Sequence, residues 1–205
     1  MTTRPPVLVF ADYTDPLSYL VKHRMDRLSR EFDMPIVWQG LELCPEGTPL
    51  PDVHATALAS LWRTAQELAA RDDVPLAIPS RAAHTALAWE ASLVAAREGV
   101  FTAFQAAVYR AYFVDDRDIS DREVLLELAG LCGMDIRALG DHLSKRTLRP
   151  LIEAQREEAR AMGVDGVPVC FVGKARLVGV HAYGMYQREL VKFLTAALEL
   201  KPKIR

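Results

Sequence analysis

Two places in this chain hold the residues whose types and spacing could do chemistry. Near the N-terminus the apolar run Val7–Ala11 gives way to Asp12-Tyr13-Thr14-Asp15, and Pro16-Leu17-Ser18-Tyr19-Leu20 follows. Far downstream, Gly163-Val164-Asp165-Gly166 leads to a Val167-Pro168 step that opens a second apolar run, Val169–Val172. Asp15 ahead of Pro16 reads as a helix start. An aspartate at the N-cap accepts the first free N–H groups, and proline lacks the N–H that would be unpaired at the first position. The N-terminus of a helix stabilises an anion. The Asp15 carboxylate has two readings: a cap worth about 1 kcal/mol, or a base and hydrogen-bond acceptor for a ligand. Both hold together if the cap lies in a cleft. Ser18, at the third helical position, reads either as a small polar filler or as a direct participant.

The remaining reactive side chains are scattered. Cys44, Cys132 and Cys170 are odd in number and far apart, and no Cys-x-x-Cys is present. That usage fits a reducing, cytoplasmic setting. Cys44 follows the second predicted strand and is either a lone thiol at a cleft edge or a small apolar residue. Cys132 and Cys170 read as core, and Trp38, Trp62 and Trp89 as packing. His84 either points into a cleft or is a satisfied core imidazole. No metal site is read from the sequence.

The composition is that of an ordinary globular protein: 205 residues, half hydrophobic and a quarter charged, with a formal net charge of −2. Nothing points to a nucleic-acid or anionic-membrane footprint. No run approaches a membrane span, and the first residues lack the pattern of a signal peptide. The basic end 201–205 reads as a frayed tail.

These elements must position the chemistry. Val7–Ala11 is a short apolar strand, and Leu17, Leu20, Val21, Leu28 and Phe32 follow at helical spacing until Pro35. Ile36-Val37-Trp38 is a second strand, and such a β-α-β opening implies a parallel right-handed crossover. Residues 55–162 read as helical: a helix over 55–71, one capped by Ser80 and ended by Gly99, and a Ser120-Asp121-Arg122-Glu123 capping box before a helix closed by Gly133. Pro150 lies in the first turn of a helix ending at Gly163. The period then returns to strands over 169–172 and 176–180, and an amphipathic helix runs over 183–200. By periodicity this is α/β with a helical block.

The two chemical segments resemble those of the DsbA-like thioredoxin-fold family, most closely its FrnE-type branch. There the first segment reads Asp-x-x-Cys-Pro-x-Cys-Tyr-Leu and the second Gly-Val-Pro. Ala83-His84-Thr85, Ala111-Tyr112-Phe113 with Arg117-Asp118-Ile119-Ser120-Asp121, and Gly179-Val180-His181 extend the likeness over nearly the whole chain. The resemblance implies a thioredoxin fold with an all-helical insertion between the second and third strands: a discontinuous thioredoxin-like domain over 1–50 and 163–205, and an insertion over 51–162. It also implies a cis Val167-Pro168 bond facing the Asp15 helix start.

Asp15 and Ser18 stand where the family has its two cysteines. Neither side chain attacks nor resolves a disulfide, so the standard dithiol exchange is excluded at this site. The resemblance then implies a cleft binding a small molecule or an extended peptide, with Asp15 and Ser18 in the catalytic positions. Tyr13, Leu17, His84, Val167, Pro168 and His181 would line it. A sister branch, the kappa-class glutathione transferases and 2-hydroxychromene-2-carboxylate isomerases, reads Asp-x-x-Ser-Pro-x-Ser-Tyr/Trp-Leu and holds a glutathione thiolate at its first serine. Asp12, Pro16, Ser18, Tyr19 and Leu20 match that motif, but Asp15 breaks it at the centre, where a carboxylate repels a thiolate. No cofactor is read, and glutathione is the less favoured ligand. A non-catalytic interaction protein, as a homodimer, is the third alternative.

Overall fold

The computed structural model of the chain describes residues 7–199. The basic tail 201–205 and position 200 lie outside the described residues. Four strands form one sheet in the order β2-β1-β3-β4: β1 is Val7–Ala11, β2 Ile36–Gly40, β3 Val169–Val172 and β4 Ala175–Val178. β1 pairs parallel with β2 and antiparallel with β3, and β3 antiparallel with β4. Helix α1 (Pro16–Phe32) crosses from β1 to β2. A 3₁₀ turn (Thr56–Leu58) and the helices α2 (Ala59–Arg71), α3 (Ala86–Arg97), α4 (Phe101–Phe113), α5 (Arg122–Leu131), α6 (Ile136–Lys145) and α7 (Arg149–Ala161) lie between β2 and β3. Helix α8 (Tyr183–Glu199) ends the described chain. This is the thioredoxin fold with a helical insertion.

Alternation along the strands sorts the core into two faces. Val7, Val9, Ala11, Cys170 and Val172 pack with Leu20, Val21, Met25 and Leu28 of α1 and with Tyr186 and Leu190 of α8. On the other face Phe10 and Val169 pack with Leu41, Val164 and Ala159 of α7. Thus α7 covers the sheet as well as touching the insertion. An aromatic seam joins the insertion to the strand end: the Tyr13 ring lies 4.5 Å from Trp89 and 4.8 Å from Tyr109, and Tyr19 stacks on Phe113 at 5.2 Å. Trp89 also seals against β2, where a Cβ on Gly40 would come within 2.5 Å of its indole.

Three local expectations shift. Ser80 does not cap α3, which begins at Ala86. The preceding backbone is satisfied from a distance instead, the Ser80 amide by Asp116 and the Arg81 carbonyl by the Tyr112 hydroxyl. Asp121, not Ser120, caps α5, because the Ser120 hydroxyl donates to Asp118 at 2.5 Å. β4 stops at Val178, where Gly179 turns out with φ +79° and its amide donates to the Pro168 carbonyl at 2.8 Å.

Candidate functional site

The site begins where β1 runs out. Asp15 has an extended backbone ahead of Pro16 and caps α1 with its side chain. Its Oδ2 accepts the Ser18 amide at 2.7 Å and the Ser18 hydroxyl at 2.6 Å, and its Oδ1 accepts the Leu17 amide at 3.4 Å. The Asp12 amide in turn donates to the Ser18 oxygen at 3.3 Å. Asp15 is 5% exposed and Ser18 fully buried. Burial lifts the Asp15 carboxyl to a pKa of about 7 against the pull of these hydrogen bonds, and the Asp12 charge adds to the rise.

Asp12 is a buried carboxyl beside Asp15 that the sequence reading left outside the site. It is wholly buried, and its Oδ2 accepts the Leu43 amide at 2.7 Å. Among the described residues its Oδ1 makes no hydrogen bond of normal geometry, and the neighbouring buried Thr85 hydroxyl favours the charged form of the carboxyl. Burial raises its pKa, partly opposed by the Leu43 amide. An aspartate between an apolar strand and a helix cap was the available signal. The Tyr109 hydroxyl donates to the Asp12 carbonyl at 3.3 Å, fixing the turn to the insertion. Two carboxyls in one buried turn, one titrating near neutrality, can take up and return a proton close to working pH.

The structure brings some of the named residues to this turn and not others. The register Phe10↔Val169 sets Pro168 level with Ala11, one residue before Asp12. The Val167–Pro168 bond is cis. Pro168 is buried and its carbonyl is taken by Gly179, whereas the Val167 amide and carbonyl have no partner among the described residues. Leu17 is half-buried in the first turn of α1. The ring Nδ1 of His84 donates to the Cys44 carbonyl at 3.0 Å, next to the Leu43 amide that holds Asp12. Cys44 is thus the thiol at the site, and burial together with the Asp12 charge pushes its pKa up.

Two expected ligand contacts are corrected. Tyr13 is fully buried and its hydroxyl is paired with Ser92 at 2.6 Å, so it belongs to the aromatic seam. His181 lies toward the far end of α1. Its ring bonds the Val178 carbonyl at 3.0 Å, and its own carbonyl accepts from Arg24. Ser18 is likewise sealed off, with its hydroxyl committed to Asp15. A groove of about 460 Å³ runs beside the site, between Leu41, Glu42 and Leu43 on one side and Gly163, Val164 and Asp165 on the other, with Arg156 and Arg160 along it.

The model of the DSBA-like thioredoxin domain matches residues 6–191. The chain belongs to that family. Among solved DSBA-like and related structures, a probable DsbA oxidoreductase from Streptomyces coelicolor is 22% identical with a TM-score of 0.77, covering 97% of this chain and 92% of its own. A 2-hydroxychromene-2-carboxylate isomerase is 18% identical with a TM-score of 0.79, covering 95% and 98%. The cytosolic disulfide reductase DsbM from Pseudomonas aeruginosa, solved with GSH, is 22% identical with a TM-score of 0.69, covering 95% and 99%. At such identities the likeness is one of fold. Among the described residues no helix is long and apolar enough to cross a membrane.

Proposed function

We propose that this DSBA-like protein carries out no dithiol–disulfide exchange and that its site binds a small molecule or an extended peptide, with Asp15 as the group that accepts and returns a proton. The observation carrying this reading is the Asp15 carboxyl, buried at the helix start and brought to a pKa of about 7. A general acid–base works best with a pKa near the working pH. Exchange chemistry needs a thiolate to attack and a second thiol to resolve. The nearby Cys44 has its pKa moved the wrong way for a nucleophile. Val167 offers an extended ligand an amide and a carbonyl that are unpaired among the described residues. The guanidinium groups of Arg156 and Arg160 along the adjoining groove favour a ligand bearing an acidic group. Three free thiols suit a cytoplasmic setting.

The test is direct. The purified protein, and its Cys44→Ala variant, should reduce insulin no faster than the uncatalysed background. Turnover above that background that survives Cys44→Ala overturns the reading.

A second reading, a glutathione-dependent isomerase, is supported by the likeness to the isomerase structure and to the GSH-bearing reductase. Calorimetry with reduced glutathione separates the two. The first reading expects weak or absent binding to the wild type and tighter binding to Asp15→Ser, because a negative charge leaves the anion site. Tight wild-type binding that Asp15→Ser abolishes favours the isomerase.

A further inference from the structure

At the other end of α1, about 18 Å along the helix axis from Asp15, three elements enclose a second pocket. Its walls are the later turns of α1, the C-terminal end of α2 and the start of α8, around a cavity of about 380 Å³. That volume lies in the range of small-molecule sites. His23, Arg24, Arg27 and Arg30 come from α1, Arg71 and two aspartates from α2 and its end, and Tyr183 from α8.

The charges around it are unbalanced. Four guanidinium groups line the pocket against the carboxylates of Asp72 and Asp73. Asp72 is already spent, because its Oδ2 accepts from Arg24 Nε at 2.8 Å and lies 2.7 Å from Arg24 Nη2. Arg24 also donates to the His181 carbonyl, so it ties the three walls together and is not free for a ligand. Arg27 reaches Glu31 only at 3.8 Å. Among the described residues Arg30 and Arg71 have no carboxylate within 4.0 Å. Arg27 and Arg30 are three apart on one helix face and repel each other. With Arg24 and Asp72 set aside as a pair, Arg27, Arg30 and Arg71 face Asp73 in the lining and Glu31 at the rim, which leaves a local excess of one positive charge.

The walls are also prepared for a ligand. Arg27 lies over the Tyr183 ring at 4.0 Å, which fixes the plane of its guanidinium. The Tyr183 hydroxyl donates to Glu31 at 2.6 Å and holds that ring in place. His23, lining the same pocket, has a buried Nε2 with no hydrogen-bond partner among the described residues. We infer that this pocket is a binding site for a small, multiply charged anion carrying phosphoryl or carboxyl oxygens, held by the guanidinium groups of Arg27, Arg30 and Arg71 with His23 at its floor. Planar guanidinium forks match such oxygens bidentately.

Calorimetric titration of the full chain at low ionic strength, with pyrophosphate in one arm and citrate in the other, tests the assignment. At least one of the two should saturate a single site with Kd below about 1 mM. The ligand that does so identifies the phosphoryl or the carboxyl source. Binding should weaken by about tenfold or more in the Arg30→Gln/Arg71→Gln variant, and the His23 ring resonances should move on addition to the wild type. Both arginines are exposed, so the variant should keep the wild-type melting temperature without ligand. Absence of saturable binding up to about 10 mM in both arms, or equal affinity in the wild type and the variant, overturns the assignment.

Discussion

Ser18 gives both its amide and its hydroxyl to one oxygen of Asp15, at 2.7 and 2.6 Å, while the other oxygen receives only the long 3.4 Å contact from the Leu17 amide. The pair is a capped, buried carboxyl, and its properties can be measured without knowing the ligand.

The first consequence is a pH dependence of stability. The Asp15 pKa is raised from 3.8 to about 7 by burial. The folded state therefore binds the proton more tightly than the unfolded state between those values. The contribution is fully present below about pH 4, falls as pH rises toward 7, and is flat above that. Asparagine keeps an acceptor for the cap and removes the titration. Relative to Asp15→Asn, the wild type should lose of order 2–4 kcal/mol between pH 4 and pH 8. Urea unfolding of both proteins across that range checks it, and a flat difference would mean Asp15 titrates like an exposed carboxyl.

Restoring sulfur tests the helix start. In Asp15→Cys the new thiolate would receive the Leu17 and Ser18 amides and the Ser18 hydroxyl now held by the carboxylate. Burial and the Asp12 charge already outweigh these three donors at Asp15, so the thiol pKa should stay at or above the ordinary value of about 8.5. Alkylation rates with iodoacetamide against pH read it directly. A value well below about 8.5 would show that the helix-start donors prevail over burial for a thiolate.

The loop that supplies the Leu43 amide is pinned by ion pairs. Arg146 bonds both oxygens of Glu46, at 2.9 and 2.7 Å, and also the fully buried Glu90 at 2.8 Å. Arg146→Met strands the Glu90 carboxylate in the interior. The cost should be about 3 kcal/mol at pH 8, and smaller at pH 5, where Glu90 can neutralise, since burial already raises its pKa. Adding Glu90→Met should recover most of the loss. Denaturation of the two single variants and the double variant measures it, and a double variant no more stable than Arg146→Met would place the cost elsewhere.

Close packing limits one glycine. A Cβ on Gly40 would lie 2.5 Å from the Trp89 ring, a side chain fixed between β2 and Tyr13. Gly40→Ala should destabilise the fold by about 1–3 kcal/mol, read as a lower urea midpoint. An unchanged midpoint would mean that Trp89 can move aside.

Much of the frame is local and therefore written in the sequence. Asp15 caps and Pro16 begins α1 because a side-chain acceptor and a missing N–H act within one turn. Alternation in Val7–Ala11 and Val169–Val172 sets two core faces because a strand has period two. The absence of any Cys-x-x-Cys is likewise legible in the sequence, and the resemblance to the family's motif is what sets Asp15 and Ser18 against its two cysteines. The tertiary structure decided the rest. Tyr13 was a ligand contact in the sequence and is a buried seam residue in the fold, because its partners Trp89, Ser92 and Tyr109 arrive from 76 to 96 residues away. His181 follows Arg24 and the far end of α1. Asp12 becomes a buried carboxyl only when the Leu43 amide meets it across the sheet end. Burial raises the pKa of Asp15 and of Asp12, and long-range pairing opposes the rise at Asp12. Both depend on which segments pack together, and a residue's neighbours in the sequence cannot specify that.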